Sequence, residues 1–257
     1  MSYLEMLQEK KADIDVFYKT VDAFNLPLQV FLPEGFDETK RYKTVIAIHG
    51  GAWHAVKETP TDWDGSWMAN TAKHYAKKGY VGIVFTYRDI DLGDVGDVLQ
   101  DCYDAVSYIQ THFSFVDDEN TVFMGDSAGG HLALCLAMHL PEGNSPAILP
   151  KKIAAFNPVT DCVSEKWSYC AKDSIRYSPM HHAKYIDADI VVMHGTGDTV
   201  VSIEDSRLFT KKMKDAGNRI SMIEIPEATH AFILFGFQSE EKDVVKALDI
   251  TDEYLHL

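Results

Sequence analysis

Short runs of apolar residues, mostly β-branched or aromatic, recur along the chain and alternate with longer segments whose apolar positions return every three to four residues. The short runs are typical of buried strands, and the longer period is typical of amphipathic helices. Strands that alternate with helices indicate a mainly parallel sheet with helices on both faces. The pattern therefore predicts an α/β fold, and the length of 257 residues fits one domain over residues 1–257.

Eight segments have the composition of strands. In chain order they read DVFYKTV, LPLQVFLP, KTVIAIHG, YVGIVFTY, TVFMGDS, KIAAFNPV, DIVVMHG and ISMIEIP. The first two follow one another closely and predict an antiparallel hairpin at one edge of the sheet. Helical stretches separate most of the later ones, as the crossovers between parallel strands require. We expect an eight-stranded, mostly parallel sheet.

Between these strands, residues 97–112 and 203–216 have the period of amphipathic surface helices. Asp97 and Gln100 resemble a capping pair at the start of the first. The segment AGGHLALCLAMHL is apolar almost all round and predicts a helix buried against the sheet. Two irregular stretches, 53–65 and 160–187, are rich in Trp, Tyr and His, and we interpret them as loops that cover a site, the second as a small loop-rich cap.

One serine sits at the junction of a predicted strand and helix, in the stretch MGDSAGG. A sharp strand-to-helix turn crowds its neighbours, so Gly125 and Gly129 relieve the clash while Ser127 projects above the sheet. The helix that follows presents free N–H groups and the positive end of its dipole to a developing oxyanion. We therefore expect Ser127 to be a nucleophile and the Ala128 N–H to be an oxyanion donor.

An earlier strand ends in IHGGAW, a glycine-rich turn that can aim further N–H groups at a carbonyl oxygen. Gly51 and Ala52 are the expected donors. We expect His49 to stabilise this turn, while His131 and His139 are placed on the buried helix.

The acid and the base of such a site follow the serine in that order, each after the end of a strand. VVMHGTGDTVV supplies Asp198, and IEIPEATHAF supplies His230. Asp161 in NPVTD also follows a strand and is the competing acid. Asp198 is favoured because its strand directly precedes the helix and strand that lead to His230.

The net charge and the cysteines limit the partners, the cellular location and the thiol chemistry that we expect for this protein. The net charge of -15 at pH 7 repels phosphate backbones and anionic headgroups, so we expect neither a nucleic-acid nor a membrane partner. The N-terminal residues lack the continuous apolar run of a signal peptide, and a cytoplasmic location is expected. The four cysteines have no metal-ligand spacing, and we expect reduced thiols, with pairing of Cys162 and Cys170 left open.

No metal and no cofactor is expected. His181 and His182 open a predicted helix that Ser178 caps and Pro179 begins, and no third ligand lies at a suitable spacing.

The stretches HGGAW, GDSAGG, SPMHHAKYIDADIVVMHGTGDTVV and ATHAF together resemble an α/β-hydrolase of the esterase/lipase group, which includes hormone-sensitive-lipase-like and feruloyl or acetyl esterases. The resemblance covers the chain from about residue 12 onward. It implies Ser127 as nucleophile, Asp198 as acid and His230 as base, with Gly51, Ala52 and Ala128 as oxyanion donors.

The resemblance further implies a serine carboxylesterase that cleaves short acyl esters through an acyl-enzyme, the finer expectation being acetyl or feruloyl esters of plant-type saccharides. The expected partner is a small-molecule or oligosaccharide ester. Ala52 departs from the family's HGGG turn, and the chain lacks the long N-terminal cap of the lipase members, which favours an open site. Trp53 and Trp167 are candidate substrate-binding residues, with Trp63 and Trp67 beside them, and simple packing is the equal alternative for all four.

Two other functions stay open. Arylformamidases carry a similar HGG-x-W turn, so the site is also compatible with amide cleavage. A hydrolase fold that only binds a ligand is the third hypothesis, although such proteins normally have a damaged triad. The sequence leaves the oligomeric state open.

Overall fold

The computed structural model describes residues 2–55 and 68–257. Eight strands of the described chain form one sheet. They are β1 (Ile14–Val21), β2 (Phe24–Phe31), β3 (Tyr42–Ile48), β4 (Val81–Phe85), β5 (Val116–Asp126), β6 (Lys152–Phe156), β7 (Asp189–Gly195) and β8 (Arg219–Ile225).

The sheet has the strand order β1-β2-β4-β3-β5-β6-β7-β8. Strands β1 and β2 form an antiparallel hairpin, β2 also pairs antiparallel with β4, and the pairings from β4 to β8 are parallel. This arrangement confirms the predicted mostly parallel sheet with a hairpin at one edge. Because parallel strands point the same way, the carboxyl ends of β3, β5, β6, β7 and β8 all meet at one edge of the sheet.

Six helices of the described chain cover the sheet. They are α1 (Tyr3–Glu9), α2 (Ala69–Lys77), α3 (Val95–His112), α4 (Ala128–Ala137), α5 (Ile203–Asp215) and α6 (Glu241–Leu255). Side chains of α3, α4 and α5 belong to the core on one face, and those of α1, α2 and α6 to the core on the other. This confirms the expected helices on both faces. In the described residues, no helix combines the length and the apolar character that crossing a membrane requires.

The two cores explain why the central strands read as continuous apolar runs. Along β3, Ile46 and Ile48 enter one core, whereas Val45 and Ala47 enter the other. A strand covered on both faces has no polar side, so the alternation seen in half-exposed strands disappears. Each large aliphatic side chain buried in this way contributes about 1.5–3 kcal/mol.

The start of α3 differs from the prediction. The N-cap is Asp94, whose carboxylate accepts hydrogen bonds from the Gly96 and Asp97 N–H groups, while Asp97 accepts one from the Asp94 N–H. Gln100 instead donates to Asp104, 2.9 Å away. The predicted Asp97–Gln100 pair is therefore wrong, because the extended residue that satisfies the first turn lies three positions earlier.

Residues 160–187 contain three short 3-10 helices rather than a longer helix after Pro179. The three are Ser168–Cys170, Ser174–Tyr177 and Pro179–His181. A helical turn begins at Pro179 with Ser178 at the N-cap position, as predicted, but it ends at His181, so His181 and His182 do not open a longer helix. The Ser178 hydroxyl does not cap this turn but accepts from the Cys162 N–H at 2.8 Å. His139 was likewise misplaced, since α4 ends at Ala137.

Candidate active site

Ser127 lies at the turn between β5 and α4 with φ 54° and ψ -117°. A non-glycine residue in this region is strained, and such strain persists only where the surroundings hold it. A Cβ at Gly125 would lie 2.2 Å from the Gly129 oxygen, and one at Gly129 would lie 2.1 Å from the Ile48 oxygen. The motif therefore requires both glycines, because backbone from the next turn and from β3 occupies the space of their side chains.

The structure brings Ser127, His230 and Asp198 together from the ends of three strands. The Ser127 hydroxyl donates to His230 Nε2 over 3.0 Å, and His230 Nδ1 donates to Asp198 Oδ2 over 2.7 Å. This is the order of a nucleophile, a base and an orienting acid. A hydrogen bond from Nδ1 to the carboxylate fixes the tautomer in which Nε2 can accept the hydroxyl proton.

The surroundings of Asp198 favour its ionised form. Burial alone would raise the pKa of the Asp198 carboxyl, but hydrogen bonds from His194, His230 and the Val201 N–H hold that pKa well below its usual range. The side chain is fully buried. His194 was not singled out from the sequence, although it lies near the end of β7, four positions before Asp198. Its Nδ1 contacts the Ser206 hydroxyl at 2.9 Å.

Asp161, the competing acid, lies elsewhere and has other partners. Its Oδ1 accepts from the Val163 N–H at 2.9 Å and contacts His181 Nε2 at 3.3 Å. These contacts hold the cap loop together, whereas the ring nitrogens of His230 bond to Asp198 and Ser127.

The expected oxyanion turn follows β3 and lies against the nucleophile. A Cβ at Gly50 would come within 3.0 Å of the Ser127 Cβ. Gly51, Ala52 and Trp53 all have positive φ, of 96°, 53° and 62°. Left-handed conformation costs about 1–2 kcal/mol for each non-glycine residue, so neighbouring groups must hold the turn.

Two side chains fix the carbonyl groups of this turn. Tyr87 Oη donates to the oxygens of His49 and Gly50, over 2.8 and 3.1 Å, and His49 Nδ1 donates to the same Gly50 oxygen over 2.8 Å. Because a trans peptide directs its N–H opposite to its C=O, these bonds orient the Gly51 N–H. Burial lowers the pKa of His49 to about 4, so the ring is neutral near pH 7. His49 thus contacts the turn that it was expected to stabilise.

Ala128 is the first residue of α4. The N–H groups of a helix's first turn have no acceptor within the helix, so the Ala128 N–H is free of intrahelical pairing. The residues expected as oxyanion donors, Gly51, Ala52 and Ala128, thus lie in two turns that both adjoin Ser127.

Trp53 is packed rather than open to a pocket. Its side chain is 0% exposed, its Nε1 donates to His131 Nδ1 over 3.1 Å, and His131 Nε2 donates to the Tyr177 oxygen over 2.7 Å. Burial lowers the pKa of His131 to about 4, consistent with a neutral ring that both accepts and donates. The structure therefore favours the packing interpretation of Trp53, which ties the oxyanion turn to α4.

Trp167 lies in the cap at the edge of a cleft of about 310 Å³. Its ring packs edge-on against Trp53, with centroids 5.7 Å apart. The cleft is lined by residues of the cap and of the loop that carries the acid: Ser164, Lys166, Trp167, Asp198, Thr199, Val200, Val201, Ser202 and Asp205. Trp63 and Trp67 lie outside the described residues, as does most of the 53–65 stretch.

Two further buried polar residues adjoin the site. Asp126 precedes the nucleophile, and Asn157 follows β6, and their side chains are joined by a hydrogen bond of 2.9 Å from Asn157 Nδ2 to Asp126 Oδ1. Burial raises the pKa of Asp126 to about 6, against the opposing effects of the Asn157 bond and the charge of His230. Neither residue was singled out from the sequence, although Asp126 ends β5 and Asn157 directly follows β6.

Among the described residues, His54, Asp89 and Asp91 place possible metal-ligand atoms within 4.8 Å of one another. Local structure accounts for this group. Asp89 accepts from the Asp91 N–H as the cap of a 3-10 turn over Ile90–Leu92, and it contacts His54 Nδ1 at 3.0 Å. All four cysteines are buried free thiols, Cys162 and Cys170 included.

Comparison with known proteins gives the family. The family model named BD-FAE matches residues 28–157, which is half of the chain and runs from the middle of β2 past the end of β6, with the oxyanion turn and the nucleophile. The chain belongs to the BD-FAE family. With its structural relatives, this places it among the α/β-hydrolases of the esterase/lipase group, as the motifs predicted.

Among solved structures, a native thermophilic esterase from the Planctomycetes species Thermogutta terrifontis matches with a TM-score of 0.81 and 28% identity over 95% of this chain and 91% of that one. Other structures of that esterase have propionate bound, have butyrate bound or are phosphoramylated by tabun, at 27–28% identity and TM-scores of 0.80–0.81. They cover 95% of this chain and 93% of the other.

A curated relative, the probable isoprenylcysteine alpha-carbonyl methylesterase ICME of Oryza sativa subsp. japonica, is 24% identical over 79% of this chain. The chain spans 54% of that relative, and 17% of a probable dipeptidyl-peptidase 5 from Aspergillus terreus that is 31% identical over 47% of this chain. Together the matches support a serine carboxylic ester hydrolase.

Proposed function

We propose that this protein hydrolyses short-chain carboxylic esters through an acyl-enzyme on Ser127. The observation that carries the proposal is the continuous hydrogen-bonded path from the Ser127 hydroxyl through His230 to the buried Asp198 carboxylate. A serine hydroxyl is a weak nucleophile until a neighbouring base accepts its proton, and this arrangement supplies the base in the required tautomer.

In the proposed reaction, Ser127 Oγ attacks the ester carbonyl carbon while His230 Nε2 takes the hydroxyl proton. The negative charge on the former carbonyl oxygen is stabilised by N–H groups of Gly51, Ala52 and Ala128. Collapse of this intermediate releases the alcohol, which takes the proton from His230. Water then attacks the acyl-serine by the same route and releases the acid. Asp198 stabilises the imidazolium in both halves without itself becoming protonated.

Two features support a short acyl group. Ala52 carries a methyl group in the turn where the family's HGGG pattern has a glycine, and the buried Trp53 follows it. A methylene gains about 0.8 kcal/mol only if the protein can bury it. The esterase of Thermogutta terrifontis, which was solved with propionate and with butyrate, supports the same acyl range.

For the alcohol, we propose a hydroxyl-rich group such as the saccharide of an acetylated oligosaccharide. The cleft between the cap and the acid loop supports this, since it combines the Trp167 ring with the polar side chains of Ser164, Ser202 and Asp205. Sites that bind small molecules pair an apolar surface with a few placed polar groups, and a polyol needs both.

The proposal is tested with purified protein, a panel of aryl acyl esters, and acetylated and feruloylated oligosaccharides. Hydrolysis of the short aryl esters, together with stoichiometric labelling by a serine-reactive phosphonate, supports the esterase. Saccharide specificity requires a higher kcat/KM for the acylated oligosaccharides than for simple alkyl esters with the same acyl group.

The HGGAW turn favours one other candidate, amide hydrolysis of the arylformamidase type, and an N-formyl aryl amide in the same panel distinguishes it. Preference for the amide over every ester would replace the proposal. Failure of both hydrolysis and phosphonate labelling would indicate a fold that binds its ligand without catalysis.

A further inference from the structure

Asp126 and Asn157 are buried polar residues that the proposed reaction does not use. Asp126 is 2% exposed and Asn157 is 0% exposed. Buried polar side chains are costly unless they are hydrogen-bonded, so their bonds indicate what they hold together.

Asn157 bonds to two different segments of the site. Its Nδ2 donates to Asp126 Oδ1, over 2.9 Å, in the turn that carries the nucleophile. Its Oδ1 accepts from the Ala231 N–H, over 3.2 Å, in the loop that carries the base. The two bonded residues, Asp126 and Ala231, directly adjoin Ser127 and His230 in the sequence.

The backbone around this amide shows why the bridge is needed. Ala231 has φ 61° and Asn157 has φ 37°, both in the left-handed region. Asparagine tolerates that region better than other non-glycine residues, whereas alanine occupies it only when its surroundings require it. The Asn157 N–H is itself fixed to the Met193 oxygen over 2.7 Å, which anchors the bridge at the end of β7.

We propose that Asn157 is a positioning residue that holds the His230 loop in register with the nucleophile turn, through the chain Asp126–Asn157–Ala231. This inference rests on the proposed esterase function. In this role the Asn157 amide sets the distance between Ser127 Oγ and His230 Nε2, because it bonds the Asp126 carboxylate beside Ser127 and the Ala231 N–H beside His230.

The test compares Asn157→Ala and Asn157→Gly with Asn218→Ala in the full chain. Both Asn157 variants remove the bridge, but glycine accepts positive φ without strain. Asn218 is the matched control because it is a buried asparagine that joins Ile186, Lys184 and Met213 far from the triad.

We expect both Asn157 variants to lower kcat for a short aryl ester by roughly 10- to 100-fold with KM changed less than about threefold, since a misplacement near 1 Å costs this much. Asn218→Ala should lower thermal stability but leave kcat near the native value. Native kcat in Asn157→Gly would show that only backbone strain matters and would overturn the proposal. An equal loss of kcat in Asn218→Ala would overturn it as well.

Amide hydrogen exchange supplies a readout that does not depend on activity. In the native protein the Ala231 N–H should exchange slowly, and in Asn157→Gly it should exchange faster while amides of β3 and β5 keep their native rates. Rapid exchange at Ala231 in the native protein would overturn the proposal without any variant. Absence of ester hydrolysis by the native protein would refute the proposed function instead, and the exchange result would still decide the bridge.

Discussion

Asp198 and Asp161 each follow a strand of the sheet, and their contacts separate them. Asp198 accepts from two histidines and two backbone N–H groups in a fully buried position, whereas Asp161 accepts from Val163 and contacts Ser178 and His181 in the cap. Only the first of these carboxylates can orient His230 and stabilise its charged form.

We therefore predict that Asp198→Asn lowers kcat by roughly 10⁴-fold, because an amide facing Nδ1 favours the wrong tautomer of the imidazole. Asp161→Asn serves as the control and should retain most of the native kcat. Steady-state hydrolysis of a short aryl ester measures both. If Asp161→Asn proved the more damaging change, the assignment of the acid would be reversed.

Asp126 gives a prediction about stability and pH. Its pKa is raised from 3.8 to about 6 in the folded protein, so the folded state favours the protonated carboxyl. The stability that this raised pKa contributes is complete below pH 4 and is lost as the pH rises through about 6. Above that pH, the folded protein holds a buried charge at a cost of up to roughly 3 kcal/mol.

Asp126→Asn should therefore increase the free energy of unfolding relative to the native protein, most above pH 6, and the gain should shrink between pH 6 and pH 4. Urea unfolding at pH 8, 6, 5 and 4 measures this difference. Glu34→Gln, at an exposed position, is the control and should show a small difference throughout. A gain that grows as the pH falls would contradict the raised pKa.

The convergence of Ser127, Asp198 and His230 was predictable because each occupies a short motif at the end of a strand, so that the strand order alone brings them to one edge of the sheet. The bridge formed by Asp126, Asn157 and Ala231 could not be predicted from the sequence. Its members lie up to 105 positions apart, from Asp126 to Ala231, and an apolar strand followed by a polar residue is common to many turns. Such pairing depends on the packing of three loops, which leaves no periodic signal.

At the scale of elements, the central strands β3, β4, β6 and β7 were predictable because both of their faces are buried and each reads as an apolar run. The start of α3 at Asp94 could not be predicted, since competing N-cap residues differ by only about 1 kcal/mol. The short helices of the loop-rich cap could not be predicted either, because that segment has no periodic apolar face. Trp53 shows a further limit: its sequence neighbours gave no indication of the His131 bond that buries it.

Trp167 in the cap allows a prediction about how the alcohol part of the substrate is bound. Trp167→Ala should raise KM for an acetylated oligosaccharide by roughly 10-fold, equivalent to about 1.4 kcal/mol of binding, and leave KM for aryl acetate near the native value. Trp167→Phe retains an aromatic face, so its KM for the acetylated oligosaccharide should lie between those of the native protein and Trp167→Ala. Tyr185→Ala, an exposed aromatic residue in a different cleft, is the control. Equal effects of Trp167→Ala on both substrates would indicate a packing role alone.

At the scale of the whole molecule, the acyl group meets the oxyanion turn, which adjoins Ser127 and carries the Ala52 methyl group and the buried Trp53. We predict that kcat/KM for aryl esters is highest from acetyl to butyryl and falls by roughly 10-fold or more at octanoyl, about 1.4 kcal/mol of lost transition-state binding. The acyl-length series is measured with one leaving group throughout. A maximum at eight carbons or beyond would contradict the short-acyl proposal and favour a lipase.

The central claim, that this fold assembles a working nucleophile at residue 127, is tested most directly by Ser127→Ala in parallel with the native protein. We expect the variant to fold with an unchanged circular dichroism spectrum, to take up no serine-reactive phosphonate, and to lose roughly 10⁴- to 10⁶-fold in kcat for a short aryl ester. The native protein should take up one phosphonate per chain, on a peptide that contains residue 127. Retention of most of the hydrolysis by the purified variant, or phosphonate attached to a different residue, would contradict the account.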